Sequence, residues 1–147
     1  MNLGATAVVS LRQEPVKLVA AMRREFEQGG IDIVLDYLWG PPAECIFEAV
    51  AGQGMRGIAS RIRYLQIGTV AGPRISLDGA TLRSSGLEIL GSGFGSVAVD
   101  KILAAVREFM DEAVKAPFQV KTRTESLREV GSLWNFSVPG VRLVFQP

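Results

Sequence analysis

The stretch "LEILGSGFGSVAVDKIL" (residues 87–103) joins a short apolar run to a glycine-rich turn and then to an amphipathic segment. The apolar run predicts a buried strand, and the helical spacing of apolar residues after the turn predicts a helix. From Gly93 the turn also reads G-F-G-S-V-A, which matches the G-x-G-x-x-G/A pattern of dinucleotide-binding turns. The sequence around this stretch decides whether the match is meaningful.

Short apolar runs alternate with helical patterns on both sides of this stretch. Predicted strands lie at residues 5–11, 31–36, 62–66, 118–123 and 141–145, with a strand-like stretch at the start of residues 74–86. Predicted helices lie at residues 14–29, 43–50, 98–114 and 126–135. We expect the apolar faces of the first three helices to pack in a core. The faces are, in chain order, Leu18, Val19, Met22 and Phe26 in the first helix, Ala43, Phe47 and Val50 in the second, and Val99, Ile102, Leu103, Val106, Phe109, Met110 and Val114 in the third. This alternation predicts an α/β fold with a largely parallel sheet.

Composition describes one ordinary domain of 147 residues, of which 48% are hydrophobic and 21% are charged. The net charge of +1 offers no basic stripe for nucleic acid and no polybasic cluster for a membrane surface. The first ten residues lack the features of a signal peptide, and no apolar run approaches the ~20 residues that span a bilayer. We therefore expect a cytoplasmic protein in which the lone Cys45 forms no intrachain disulfide and is a small buried apolar residue.

The chain contains no histidine and one cysteine. That composition excludes a Ser-His-Asp or Cys-His catalytic arrangement within one chain. It also lacks the several nitrogen or sulfur ligands of a usual zinc site, so we expect no specifically bound metal. Any catalysis would have to use carboxylates, lysine, tyrosine or a cofactor.

The fingerprint interpretation of the turn at Gly93 meets a difficulty further along the chain. A dinucleotide fingerprint needs an acidic residue at the end of the next strand to hold the ribose hydroxyls. The sequence there is "KTRTE" (residues 121–125), in which Lys121 and Arg123 are suited instead to a 2′-phosphate. As a lone motif, the match is weak.

A series of segments in order carries a resemblance that covers nearly the whole chain. The segments are "LGATAVVSL", "GIDIVLDYLWG", "IRYLQIGTVAG", "ISLDGATLRSSGLEILGSGFGS" and "VGSLWN…VRLVF". The series resembles the C-terminal half of the medium-chain dehydrogenase/reductase superfamily, in its quinone-oxidoreductase-like or zinc-type alcohol-dehydrogenase-like members. The resemblance implies a truncated Rossmann-like fold and assigns residues 87–96 to the last Rossmann strand and the loop after it. The glycines then belong to the nicotinamide end of a cofactor site, whereas the pyrophosphate fingerprint belongs to a first strand that this chain lacks.

The resemblance implies a binding site for NADP or NAD along the C-terminal edge of the sheet. Carried over residue by residue, the site consists of three turns: Asp36, Tyr37 and Leu38; Gly68, Thr69 and Val70; Gly91, Ser92 and Gly93. Two of these residues have a simpler alternative role, because Asp36 can cap the following turn and Thr69 can be an ordinary turn residue. The resemblance gives no metal ligand and no catalytic residue.

The departures from the family are large. The first two Rossmann strands are missing, with the pyrophosphate loop and the residue that separates NAD from NADP, and so is the GroES-like catalytic domain. We therefore expect weak or lost cofactor binding and a chain that is not catalytically competent alone. A partner chain that supplies the missing half would complete it. The alternative is a non-catalytic, self-associating module that keeps the fold without the cofactor chemistry. We expect a single domain, 1–147, made of a partial cofactor-binding domain (1–116) and a C-terminal strand–helix–strand extension (117–147).

Unpaired strand edges favour association of the chain with itself. In the family the last Rossmann strand pairs with its counterpart across a twofold axis, so we expect a homodimer through the edge of residues 87–93. Residues 5–11 have lost their family neighbours and must pair beside residues 31–35, pair with another chain, or stay loose.

Overall fold

The structure is a computed structural model that describes residues 4–52, 61–116 and 118–147. The chain divides into two compact units, Met1–Ala98 and Val99–Pro147, and each unit contains its own sheet. The division falls before the helix that the sequence groups with residues 1–116, and residue 117, where the extension was expected to begin, lies outside the described residues. The assignment of the whole chain to a single domain stays a prediction.

The N-terminal unit alternates helices and strands. In chain order it contains α1 (Pro15–Gly29), β1 (Ile33–Asp36), α2 (Gly40–Val50), β2 (Ile62–Gln66), α3 (Gly79–Ser84) and β3 (Leu87–Gly91). The three strands form one sheet in the order β1-β2-β3, and both pairs are parallel. The expected α/β fold with a parallel sheet flanked by helices is therefore confirmed.

Helix α1 begins and ends where the sequence predicts. Pro15 is its first residue, a position where a fixed φ is favourable and a missing N–H costs nothing. Gly30 ends the helix with a φ of 61°, a left-handed conformation that glycine adopts without strain. Between these ends, Leu18, Val19 and Phe26 are buried, as the apolar spacing predicts.

One face of the parallel sheet holds the core of this unit. The register aligns Val34 of β1 with Tyr64 of β2 and Ile89 of β3, so these side chains share a face. They pack in one cluster with the apolar side of α2, namely Ala43, Phe47 and Val50, and with Phe26 of α1. Helices α1 and α2 therefore cover the same face of the sheet.

The opposite face of the sheet carries the alternate residues of each strand. Its apolar members in β1, Ile33 and Leu35, are 51% and 59% exposed. Leu90 of β3, aligned through Leu65 with Leu35, is about half exposed. This unit is thus a two-layer arrangement in which helices cover one face of the strands.

The expected strands at residues 5–11 and at the start of residues 74–86 are not formed, and that expectation was wrong. The residues from 4 to 11 are exposed apart from Val9, which packs partly against the α1–α2 interface. Ser10 instead makes local bonds, because its Oγ accepts from the Arg12 N–H and its carbonyl from the Gln13 side chain. Such local bonds compete with strand pairing.

The C-terminal unit begins with α4 (Val99–Ala113) and continues with β4 (Thr122–Ser126) and β5 (Arg142–Gln146). Between the strands, a 3-10 turn (Leu127–Glu129) leads into the short helix α5 (Val130–Leu133). The two strands pair in parallel, with Thr122 opposite Arg142. Ser126 caps the 3-10 turn, because its hydroxyl accepts a 3.3 Å hydrogen bond from the Arg128 N–H.

The apolar stripe of α4 is present, but no residue of this helix is buried, so the prediction that it packs in a core was wrong. The other described residues of the C-terminal unit are not buried either. Two strands offer too little apolar surface to cover a helix of 15 residues. Within the described ranges, no helix is long and apolar enough to cross a membrane.

We expect Phe47→Ala to lower the free energy of unfolding by about 3–5 kcal/mol, because the ring is 2% exposed and its removal leaves a cavity. Phe94, which is 90% exposed, provides the matched control. Phe94→Ala should change stability by less than about 0.5 kcal/mol. Urea unfolding of both variants measures the difference, and equal losses would contradict the position of the core.

Candidate functional site

The three parallel strands end in one row. The register aligns the last residues of the strands, Asp36, Gln66 and Gly91. The nine residues predicted from the sequence lie in the turns that continue from this row, so all of them belong to one edge of one sheet. In open α/β folds, the carboxyl edge of the sheet is where ligands bind.

The turns after β1 and β2 are joined by backbone hydrogen bonds. The Val70 N–H donates to the Tyr37 carbonyl at 3.3 Å, and the Ala71 N–H donates to the Leu38 carbonyl at 2.7 Å. Gly68 approaches so closely that a Cβ added to it would lie 2.6 Å from the Tyr37 carbonyl oxygen. Gly68 is therefore required by contact between two turns, whether or not a ligand is bound.

Gln66 links the turn after β3 to the turn after β2. Its carbonyl accepts a 2.9 Å hydrogen bond from the Ser92 N–H, and its side-chain amide donates to the Gly68 carbonyl at 2.9 Å. Sequence reasoning did not select Gln66. Its signal is positional, because it is the polar residue that ends a strand whose neighbour ends in Asp36.

The side chain of Asp36 is directed into the fold. Its carboxylate accepts hydrogen bonds from the Leu38 N–H at 2.8 Å, from the Trp39 N–H at 3.1 Å and from the Tyr64 hydroxyl at 2.6 Å. The residue is only 6% exposed. The capping role that the sequence allowed for Asp36 is therefore present, and its carboxylate holds the turn after β1 from the buried side.

Tyr64 is the second residue that sequence reasoning missed. Its side chain is fully buried, and burial, followed by the bond to Asp36, raises the pKa of the phenol. A raised pKa keeps the hydroxyl protonated and therefore able to donate to the carboxylate. A polar atom among the residues of β2 that face the core was the available signal, but its partner lies in a different element of the chain.

Trp39 has a strained backbone at the end of the first turn. Its φ of 56° and ψ of −158° lie in a region that non-glycine residues seldom adopt. The conformation is held by the bond from its N–H to Asp36 and by edge-on contacts of its ring with Phe47 and Tyr64, at centroid distances of 6.1 and 6.2 Å. The aromatic core thus fixes the shape of the turn after β1.

Gly91 and Gly93 differ from Gly68 in their surroundings. A Cβ added to either of them would meet no atom within 4 Å. Both are exposed, and neither has a positive φ. Tyr37, Thr69 and Val70 are exposed beside them, and Ser92 is half-buried. This edge therefore combines open backbone with the hydroxyl groups of Tyr37, Thr69 and Ser92, a set that suits a ribose and a carboxamide.

The fingerprint interpretation beginning at Gly93 meets two structural difficulties. Helix α4 starts at Val99, after the last residue of the motif, and the Gly93 N–H is bonded to the Ser96 hydroxyl at 2.8 Å. Moreover, β3 and β4 belong to different sheets, whereas a mononucleotide-binding unit needs two strands of one sheet. Arg123 is paired with Glu125 at 2.6 Å.

The helices that border this edge offer few hydrogen-bond donors to a phosphate. Helix α2 begins with Gly40, Pro41 and Pro42, and the two prolines have no N–H to offer an anion. A cavity of about 630 Å³ lies at the other side of α2, but Glu44, Glu48 and Asp78 among its lining residues would repel a dinucleotide. In the part of the chain that the structure describes, no cluster of three metal-ligating residues occurs.

One solved structure with a similar fold is that of a provisionally assigned alcohol dehydrogenase from Sinorhizobium meliloti 1021. The two proteins share 24% sequence identity with a TM-score of 0.60, and the match covers 99% of this chain and 37% of the bacterial protein. This likeness establishes a dehydrogenase-like α/β fold for a chain that spans little more than a third of its neighbour. No protein-family model and no curated protein sequence matches the chain.

We expect Gly68→Ala to lower the free energy of unfolding by about 1–3 kcal/mol, because the new Cβ collides with the Tyr37 carbonyl. Gly91→Ala adds the same atom in open space and should change stability by less than about 0.5 kcal/mol. Thermal or urea unfolding of the pair measures both effects. Equal stability of the two variants would show that the first two turns do not touch.

Proposed function

We propose that this chain is a partial nucleotide-binding domain of an NAD(P)-dependent oxidoreductase-like protein of the medium-chain dehydrogenase/reductase type. It receives the nicotinamide end of NADP or NAD at the three turns that follow β1, β2 and β3. The observation that supports this most directly is the open backbone at Gly91 and Gly93, for which the packing of the described residues gives no reason. Backbone without a Cβ allows a ligand to approach closely.

The proposed roles of the nine residues follow from their environments. The exposed backbone of Gly91 and Gly93 packs against the nicotinamide, with no hydrogen bond from Gly93, whose N–H and carbonyl already bond to Ser96. The hydroxyls of Thr69 and Ser92 bond to the amide and ribose of the ligand. Tyr37 and Val70 flank the ligand from the exposed side. Asp36, Leu38 and Gly68 act through the shape of the turns, because their polar groups already bond within the chain.

Binding at this edge is weak in the proposed function. The pyrophosphate normally supplies much of the electrostatic contact of a dinucleotide with a helix N-terminus. Here the prolines at the start of α2 remove donors from the helix nearest the turns. A dinucleotide would therefore be held mainly at its nicotinamide end.

The chain alone does not catalyse hydride transfer in this proposal. The nicotinamide supplies that chemistry when it is bound, and the protein must position a substrate against it. The described residues of the N-terminal unit provide one wall of such a site, and the proposal leaves the other wall to residues outside this unit.

We expect NADPH and NADH to give a measurable but weak signal in a calorimetric titration, and we expect Gly91→Val to abolish it by filling the space against the nicotinamide. Gly95→Val is the matched control, because Gly95 also has open space around it but lies outside the proposed contact. Loss of binding in both variants, or in neither, contradicts the proposed site. Binding that survives Gly91→Val and disappears on substitution of Lys121 or Arg123 would instead support the fingerprint interpretation.

We expect no NAD(P)H oxidation by the purified chain with a panel of quinones and aldehydes. The physical reason is the missing second wall, because hydride transfer needs donor and acceptor held in contact. Steady-state absorbance of NADPH measures the rate. Turnover that elutes with the polypeptide through gel filtration and disappears in Gly91→Val would overturn this expectation.

A second candidate function, self-association, is favoured by the exposed edge of β3. Among the residues that the structure describes, this strand has β2 on one side and no strand on the other. Leu90 is 49% exposed, whereas Leu87 and Ile89 belong to the core cluster. The single charged residue of the strand, Glu88, is paired with Arg61 of the same chain. A twofold axis uses the same patch on both subunits, so one open edge is sufficient.

We expect the purified chain to be a dimer at micromolar concentration, and Leu90→Lys to shift it toward the monomer by placing a charge at the edge. Leu82→Lys is the control, because Leu82 has a similar exposure on α3, away from the edge. Light scattering measures the mass. A mass near the 15.8 kDa monomer for the unmodified chain would contradict the dimer.

A further inference from the structure

A cavity of about 630 Å³ is bordered by α2, by α3 and by the segment that precedes α3. This volume is within the range of pockets that bind small molecules. Its lining includes three acidic and three apolar residues, namely Glu44, Glu48 and Asp78, and Phe47, Ala51 and Leu77. None of the nine residues predicted to contact NADP or NAD lines it, so the cavity is separate from the candidate nucleotide site.

Two walls of the cavity are joined by a hydrogen bond. The Glu44 carboxylate on α2 accepts a 2.6 Å hydrogen bond from the Ser76 N–H, which holds the segment before α3 against α2. Asp78 caps α3, because its carboxylate accepts a 2.9 Å hydrogen bond from the Ala80 N–H. Each of these two acids uses one carboxylate oxygen, Oε1 of Glu44 and Oδ1 of Asp78, so each keeps a second oxygen that can accept a hydrogen bond from a ligand.

The negative charge of the three acids is not balanced by an ion pair within the described ranges, where the ion pairs involve other residues. Arg23 reaches the end of α2, but it donates to the backbone carbonyls of Glu48 and Ala49, at 3.0 and 3.2 Å. Moreover, Glu44 and Glu48 are four residues apart on one helix, a spacing at which like charges destabilise each other. A positively charged ligand would relieve this repulsion.

Thr81 provides a second, independent indication of a ligand. It lines the cavity and is only 7% exposed. Its N–H donates to the Asp78 carbonyl at 3.0 Å, and its carbonyl accepts from the Ser85 hydroxyl at 2.6 Å. In the part of the chain that the structure describes, no hydrogen bond involves the Thr81 hydroxyl. Because buried polar groups are normally paired, this hydroxyl indicates that a polar group of a ligand enters the cavity.

We infer that this cavity binds a linear aliphatic diamine or polyamine. A single metal ion does not fit, because no three metal-ligating residues of the described ranges are placed to hold one. The acids are instead spread along the cavity, and the α-helical rise separates Glu44 from Glu48 by about 6 Å. A chain of four carbons places two ammonium groups at a similar separation.

The other lining residues suit the same ligand. The methylene groups of an aliphatic amine pack against the apolar side chains of Phe47, Ala51 and Leu77. An ammonium group has three N–H donors, which can bond to a carboxylate and to the Thr81 hydroxyl together. Binding therefore balances the charge of the acids and gives the buried hydroxyl its partner.

Calorimetric titration of the full chain with three probes tests the inference directly. Putrescine carries two ammonium groups on four carbons, butylamine carries one on the same apolar body, and magnesium chloride supplies two charges with no apolar body. We expect putrescine to bind at least ~10-fold more tightly than butylamine, because the second ammonium adds hydrogen bonds to a charged group. Magnesium chloride at equal ionic strength should give no signal. No binding of putrescine, or equal binding of putrescine and either control, would overturn the inference.

Two glutamate substitutions separate the cavity from the overall charge of the protein. Glu48→Gln removes one charge from the cavity lining, and Glu108→Gln removes one from an exposed position on α4. We expect Glu48→Gln to weaken putrescine binding at least ~3-fold and Glu108→Gln to leave it unchanged. Equal losses in the two variants would show a response to net charge alone and would contradict the site.

Thr81→Val replaces the buried hydroxyl with a methyl group of similar size. We expect the thermal midpoint of the unliganded chain to be unchanged or higher, because no bond within the described chain is lost. Putrescine affinity should fall by about 3–10-fold, since the ligand loses one acceptor. A lower midpoint, or an unchanged affinity, would contradict the assignment of this hydroxyl to a ligand. Because the probe comparison uses the unmodified chain, it decides the inference even where a variant fails to fold.

Discussion

The hydrogen bond between the Tyr64 hydroxyl and the Asp36 carboxylate connects the core of the N-terminal unit to its candidate site. Below it, the tyrosine ring packs against Phe47 on the covered face of the sheet. Above it, the same carboxylate holds the N–H groups of Leu38 and Trp39 and so determines the path of the first turn. That path brings the Tyr37 carbonyl against Gly68, and this contact positions the turn after β2. Asp36, which the sequence suggests as a ligand-binding residue, therefore has a structural role.

The glycines of this edge divide into two kinds. Gly68 and Gly40 are glycines because backbone from another turn lies within 3 Å of where a Cβ would be. Gly91 and Gly93 have open space in the same position. The packing of the fold explains the first kind and gives no reason for the second. A sequence shows both kinds with the same letter, so contact geometry is needed to tell them apart.

The sequence predicts those parts of the fold that depend on local patterns. Helix α1 follows from Pro15, the apolar spacing and Gly30, and the row of strand ends follows from three apolar runs that each stop at a polar or glycine turn. Residues 5–11 carry an equally good strand pattern and form no strand, because a strand also needs a neighbour, which local sequence does not specify. The stripe on α4 shows the same limit, since spacing identifies an apolar face without saying what covers it. The bond from Tyr64 to Asp36 was beyond prediction because it joins two strands whose register is set by the whole unit.

The parallel pairing of β1, β2 and β3 also determines how this unit must fold. Each parallel pair joins strands separated in the chain by a helix, so none of the ladder contacts is local in sequence. Helices can form early from neighbouring residues, whereas the sheet has to wait for loop closure over many residues. The search for these long-range contacts therefore sets the folding rate of the unit. While that search continues, the apolar strands stay exposed, and the unfinished sheet can associate with other chains.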